Sequence, residues 1–140
     1  MRTYHSRKRP ATAFYPLLPV ALILLPCMVH GLEPPREIAI TMGDYHYAPD
    51  FIEMDSGETI VLHVTNTDGI TPHNFTLVDQ PAGLDVDTDI SAGNSARISL
   101  TPQRPGTYTW YCNKKLPLMK SHRDRGMQGT LVVRQAHTGI

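Results

Sequence analysis

Two cysteines and one tryptophan are all that a chain of 140 residues contains of these types, and aromatic residues make up only 7% of it. One of the two cysteines, Cys27, falls in the N-terminal leader described below. The rest of the chain therefore has a single thiol, Cys112, and no internal disulfide. The apolar run Leu17–Val29 has 13 residues and is interrupted by Pro19 and Pro26, well short of the roughly 20 residues that span a bilayer. A permanent transmembrane helix is therefore the weaker reading, and no stable membrane span is expected in the mature form. No stretch beyond residue 31 sustains a helical period, apart from a turn or two after Pro117, and there is no internal repeat or low-complexity tract. Helical bundles and repeat arrays are excluded with it.

Acidic residues are missing from the first 31 positions, where Arg2, Arg7, Lys8 and Arg9 precede the apolar run, and small residues Val29 and Gly31 close it. This is the pattern of a cleavable signal peptide over residues 1–31. It predicts an exported protein, periplasmic or secreted, with one domain over 32–140, a core over about 36–134 and a frayed tail from Gln135; the alternative is an uncleaved leader that tethers the protein to a membrane. Beyond residue 31 nine basic residues face 13 acidic ones. The resulting charge of −4 argues against nucleic acid as a partner.

Apolar residues alternate with polar ones at Ile38, Ile40 and Met42; at Ile60, Leu62 and Val64; and at Phe75 and Leu77. The pattern resumes at Ala96, Ile98 and Leu100, at Tyr108, Trp110 and Cys112, and at Leu131 and Val133. A period of two means strands. Turn residues separate them, among them Ser56-Gly57, Asp68-Gly69 and Ala92-Gly93-Asn94. An all-β, antiparallel sandwich or barrel of seven to eight strands accommodates this spacing.

A lone thiol in an exported chain is inert and buried, or cross-links two chains, or binds a metal. Its neighbours favour the last. Cys112 is followed by His122 and Met127, and His73 enters a strand upstream. A thiolate, two imidazoles and a thioether are the soft and borderline donors of a blue-copper site. His46 lies between two tyrosines and His63 points away from its strand's apolar face, so both read as structural or exposed.

The order His73-Asn74, Cys112, His122, Met127, followed by Gly129-Thr-Leu-Val-Val133, resembles the cupredoxin family of small blue, type 1 copper proteins, and the likeness covers about Ile38 to Val133. It implies a Greek-key β-sandwich, one copper ion held by His73, Cys112, His122 and Met127, and Asn74 tying the two ligand loops together through a partner near Asn113. Nine residues separate Cys112 from His122, where the family usually has two to four. The resemblance thus implies an enlarged loop over Asn113–Ser121 and makes Met119 a second candidate for the thioether. The family's role implies an electron carrier, not an enzyme, monomeric and serving redox partner proteins. A copper-handling protein for resistance, sensing or delivery would use the same ligands. In the loop, Lys114, Lys115, Leu116, Pro117, Leu118, Met119 and Lys120 combine apolar and cationic residues beside His122, a docking patch for a partner with an acidic face.

Overall fold

A computed structural model describes residues 33–137. Residues 1–32 and 138–140, and with them the expected leader and its cleavage point, lie outside the described residues. Among those described, no helix is long and apolar enough to cross a membrane.

Among the described residues nine strands form: β1 (Arg36–Gly43), β2 (His46–Ala48), β3 (Phe51–Asp55), β4 (Ile60–Asn66), β5 (His73–Asp79), β6 (Leu84–Ile90), β7 (Ser95–Leu100), β8 (Gly106–Tyr111) and β9 (Gln128–Arg134). They build a four-stranded sheet in the order β2-β1-β4-β7 and a five-stranded sheet in the order β3-β9-β8-β5-β6. The inward residues of both, among them Ile40, Leu62, Val64, Phe75, Leu77, Trp110 and Leu131, pack as one buried core.

The β-sandwich expected from the alternating pattern is present, with two refinements. Strands β2, β3 and β6 fall where the pattern is faint. β2 has three residues, β3 turns only Ile52 and Met54 inward, and in β6 Asp85, Asp87 and Asp89 alternate with Leu84, Val86 and a threonine. The sheets are also mixed rather than wholly antiparallel. β1 runs parallel to β4, from Arg36↔Ile60 to Met42↔Asn66, and β3 runs parallel to β9. Parallel neighbours need a long crossover, so their pairing leaves no short hairpin signal in the sequence.

The turn between β3 and β4 is closed by Glu58. Its Oε1 accepts from Arg36 Nε at 2.9 Å and its Oε2 from the Asp55 amide at 2.9 Å. Burial alone would raise this carboxyl, yet those hydrogen bonds and the guanidinium charge outweigh it and hold the group below its ordinary 4.5. A lowered folded value means stability that is complete above the unfolded value and is lost as pH falls through the folded one. Glu58→Gln should therefore lower stability by less than about 1 kcal/mol at neutral pH, because the pair is partly exposed and screened. Urea melts should show the difference from the parent vanishing in acid.

Candidate metal centre

The ladder of the five-stranded sheet brings the four expected ligands to one end of the sandwich. His73 is the first residue of β5, and Cys112 follows the last residue of β8. His122 stands before a short 3-10 turn, Arg123–Arg125, and Met127 precedes β9. Antiparallel pairing of Thr76 with Tyr111 and of Tyr111 with Gln128 sets the register. The Cys112 amide then donates to the Met127 carbonyl at 3.1 Å, one rung beyond β8 and β9.

Donor atoms of His73, Cys112 and His122 all lie within 4.8 Å of one another. His122 Nδ1 is 3.4 Å from Cys112 Sγ, His73 Nδ1 is 3.9 Å from it, and the two Nδ1 atoms are 3.0 Å apart. His73 and Cys112 are fully buried, and His122 is 6% exposed. The Met127 amide donates to the His122 carbonyl at 3.0 Å, and the His122 amide to the Lys114 carbonyl at 2.9 Å, so the loop is braced across itself. Met127 is fully buried, whereas Met119 is 43% exposed at the loop's surface. Gly126, at φ +99, makes the reversal between His122 and Met127 that a side chain would strain.

Asn74 connects the two halves of the site. Its backbone amide points at Cys112 Sγ at 3.4 Å, and its Oδ1 accepts from the Asn113 amide at 2.8 Å. Its Nδ2 donates to Thr76 Oγ1 and Asp87 Oδ1, while its carbonyl accepts from the Tyr47 hydroxyl at 2.6 Å. Every polar atom of this buried side chain thus has a partner, as a buried polar network requires. Burial pushes the Cys112 thiol up, and it pushes the Tyr47 hydroxyl up with a further contribution from Cys112. Burial, followed by the neighbouring His73, pushes His122 down.

Two residues near the metal ligands carry no motif in the sequence. Asp68 Oδ2 lies 2.8 Å from His73 Nε2, and the Tyr45 ring stands edge-on to both imidazoles, 4.9 Å from His122 and 6.2 Å from His73 between ring centres. Asp68-Gly69 reads only as a turn, and Tyr45 only as a neighbour of His46. The one available signal is a carboxylate five residues before the histidine.

The loop residues Lys115, Leu116, Pro117, Leu118, Met119 and Lys120 are exposed, with Leu116 at 60%. Lys114 is half-buried in an ion pair with Asp89 at 2.6 Å. Leu116, Lys114 and Lys115 join Thr71, Pro72 and His122 around a depression of about 110 Å³. On the other side Leu116, Met119 and Lys120 meet Tyr45, Arg125 and His122. His122 therefore lies beneath an apolar rim edged by cations.

The donor chemistry fits copper. One thiolate and two imidazoles, converging and shielded from water with a buried thioether beside them, match the His₂Cys and axial Met set. A carboxylate-rich cage of the kind that suits calcium or magnesium is absent among these ligands. A family model described as a cupredoxin-like domain matches residues 16–133. Plastocyanin of Prochlorothrix hollandica is 28% identical over 130 residues, which cover 86% of this chain and 92% of that one. Among solved structures, the dithionite-reduced auracyanin of Roseiflexus castenholzii superposes with a TM-score of 0.56 at 22% identity, over 69% of this chain and 95% of its own. The metal-binding domain of a Cu(I)-exporting P-type ATPase of Streptococcus pneumoniae does so with a TM-score of 0.52 at 17% identity, over 71% and 85%. At these identities the two structures speak for the fold alone.

Proposed function

The chain belongs to the cupredoxin-like family, with one type 1 copper ion as its cofactor, and from that premise we propose that it is an exported electron carrier rather than an enzyme. Cys112, His73 and His122 would be the strong ligands in this reading, with the Met127 thioether as the weaker fourth. The observation that carries it is the braced cluster of buried donors with one imidazole directly under an apolar surface. Bound copper supplies a one-electron couple. The protein's part is to keep the donors in place whatever the charge at the centre. The Cys112–Met127, Met127–His122 and His122–Lys114 backbone hydrogen bonds brace the donors, and a braced set would rearrange little on electron transfer.

Leu116, Pro117, Leu118 and Met119 form the surface through which a redox partner would approach His122. Lys115, Lys120, Arg123 and Arg125 surround it, which favours a partner with an acidic face. Arg123 and Arg125 are themselves held over the Tyr111 and Tyr45 rings, at 4.2 and 4.4 Å. Export to the periplasm or the outside is supported by the basic and apolar residues before position 32 and by a chain that keeps only one thiol after them.

Voltammetry of the copper-loaded protein and stopped-flow exchange with an acidic redox protein test this reading. A carrier gives a reversible one-electron wave, and its exchange rate falls as salt screens the lysines, most steeply below about 0.1 M. Irreversible reduction, with the ion passing readily to an acceptor, would favour the copper-handling role instead. A rate indifferent to salt would remove the acidic face from the partner's description.

A further inference from the structure

His73 has its two ring nitrogens on opposite tasks. Nδ1 faces His122 Nδ1 and Cys112 Sγ, and Nε2 faces away, 2.8 Å from Asp68 Oδ2. Which nitrogen carries the proton is set by the bond the other end makes, because a carboxylate accepts and cannot donate. The second oxygen of the same carboxylate is also engaged. Asp68 Oδ1 accepts from the backbone amide of Asp44 at 3.0 Å.

Asp44 and Tyr45 are the two central residues of the hairpin between β1 and β2, and both have positive φ, 46° and 60°. Hairpins of this length ask for that conformation, but they normally fill it with Asn-Gly. A tyrosine there strains the backbone, because its Cβ crowds the following carbonyl. Something must offset the strain, and three contacts do: the Asp68 bond to the Asp44 amide, the edge-on packing of Tyr45 against both imidazoles, and the Arg125 guanidinium 4.4 Å above its ring. The preceding Gly43 leaves the room. A Cβ there would stand 2.8 Å from Asp68 Oδ1 and 2.7 Å from Thr67 Oγ1. Asp68 is fixed in turn, since its amide donates to Asn66 Oδ1 at 3.0 Å, and buried Asn66 holds the loop through the carbonyls of Thr71 and Ile90.

We propose that Asp68 is a positioning residue for the copper centre, which holds His73 with Nδ1 free toward Cys112 and at the same time pins the turn that lays Tyr45 across both histidines. The proposal rests on the copper-binding reading above. A carboxylate hydrogen-bonded to a ligand imidazole makes it a stronger donor. A fixed negative charge next to the ligand set also favours Cu(II) over Cu(I). Asp68 thereby lowers the reduction potential, and Tyr45 closes the side of the site that the loop leaves open.

The experiment uses Asp68→Asn, which retains one acceptor oxygen where two donors need one each. Nitrogen NMR of the metal-free protein should place the His73 proton on Nε2 in the parent and on a mixture of both nitrogens in the variant. Cu(II) affinity should fall about 10–100-fold, as loss of a ligand's hydrogen-bond partner typically costs. Cu(I) affinity should fall less, and each tenfold difference between the two raises the potential by about 59 mV. A variant that melts like the parent with an unchanged proton position and an unchanged ratio of affinities would overturn the proposal. Should Asp68→Asn not fold, the parent spectrum alone decides, since a His73 proton on Nδ1 refutes it. A parent protein that binds no copper would instead refute the copper reading and leave the proton measurement standing.

Discussion

Cys112→Ser should give a folded protein without the intense visible thiolate-to-copper band of the parent, and with Cu(II) affinity reduced by more than about 100-fold, beyond what loss of a ligand's hydrogen-bond partner alone costs. The fold survives because the side chains are nearly equal in size and the serine oxygen can still accept from the Asn74 amide that points at sulfur. The metal site does not, because a serine hydroxyl remains protonated at neutral pH and lacks the soft, polarizable pair that copper prefers. Sulfur forms one corner of a triangle with the two Nδ1 atoms, 3.4 Å from one and 3.9 Å from the other, so its loss removes one of three converging donors. Titration with Cu(II), followed by absorbance and circular dichroism, checks both halves. A surviving band would mean that another thiolate or another geometry holds the ion. A parent protein that stays colourless would overturn the blue-copper assignment.

Gly129→Ala is expected to be the most damaging small substitution. A Cβ at 129 would drive into the indole of Trp110, its direct partner across β8 and β9. The ring cannot retreat, since it stacks on Phe75 at 5.7 Å and meets the edge of Tyr47 at 6.3 Å. Its Nε1 is enclosed with no hydrogen-bond partner, so packing alone holds it. Overpacking of this kind costs about 3 kcal/mol at the upper end of its range. The melting temperature of a domain this size should then drop by roughly 12–24 °C. Trp110→Phe in the same chain should recover part of the loss, because the smaller ring vacates the space, and the double-mutant cycle would show coupling. An unchanged melting temperature would mean that the sheet opens locally to admit the methyl. The site would feel the clash too: Trp110 lies two residues before Cys112 and Gly129 two after Met127, so both arms of the ligand loop shift together.

Strands β1, β4, β5, β7, β8 and β9 follow from the sequence because each exposes one face and buries the other, and alternation of residue types records that. The metal ligands are equally legible, since a thiol, two imidazoles and a thioether have few other reasons to occur in that order at the ends of strands. The two parallel pairings, β1 with β4 and β3 with β9, leave no such record, because they join segments far apart in the chain and depend on how the sheets stack. Met127 and Met119 are chemically identical candidates in the sequence. The fold separates them, burying one beneath the braced loop and leaving the other on the surface.

What the sequence alone determined is the chemistry of this protein: an all-β pattern with one thiol beyond residue 31, and the donors for one soft-metal centre. What only the tertiary structure decided is how those donors are held. Asp68 and Tyr45 reach the histidines across loops and a hairpin turn, and neither residue type marks a metal site by itself. Their importance comes from a distance of 2.8 Å and a pair of ring edges that exist only once β1, β2 and the loop before β5 have packed together. Ligand identity is a property of side-chain chemistry and is written locally. Ligand orientation comes from contacts between distant segments, and folding has to create them.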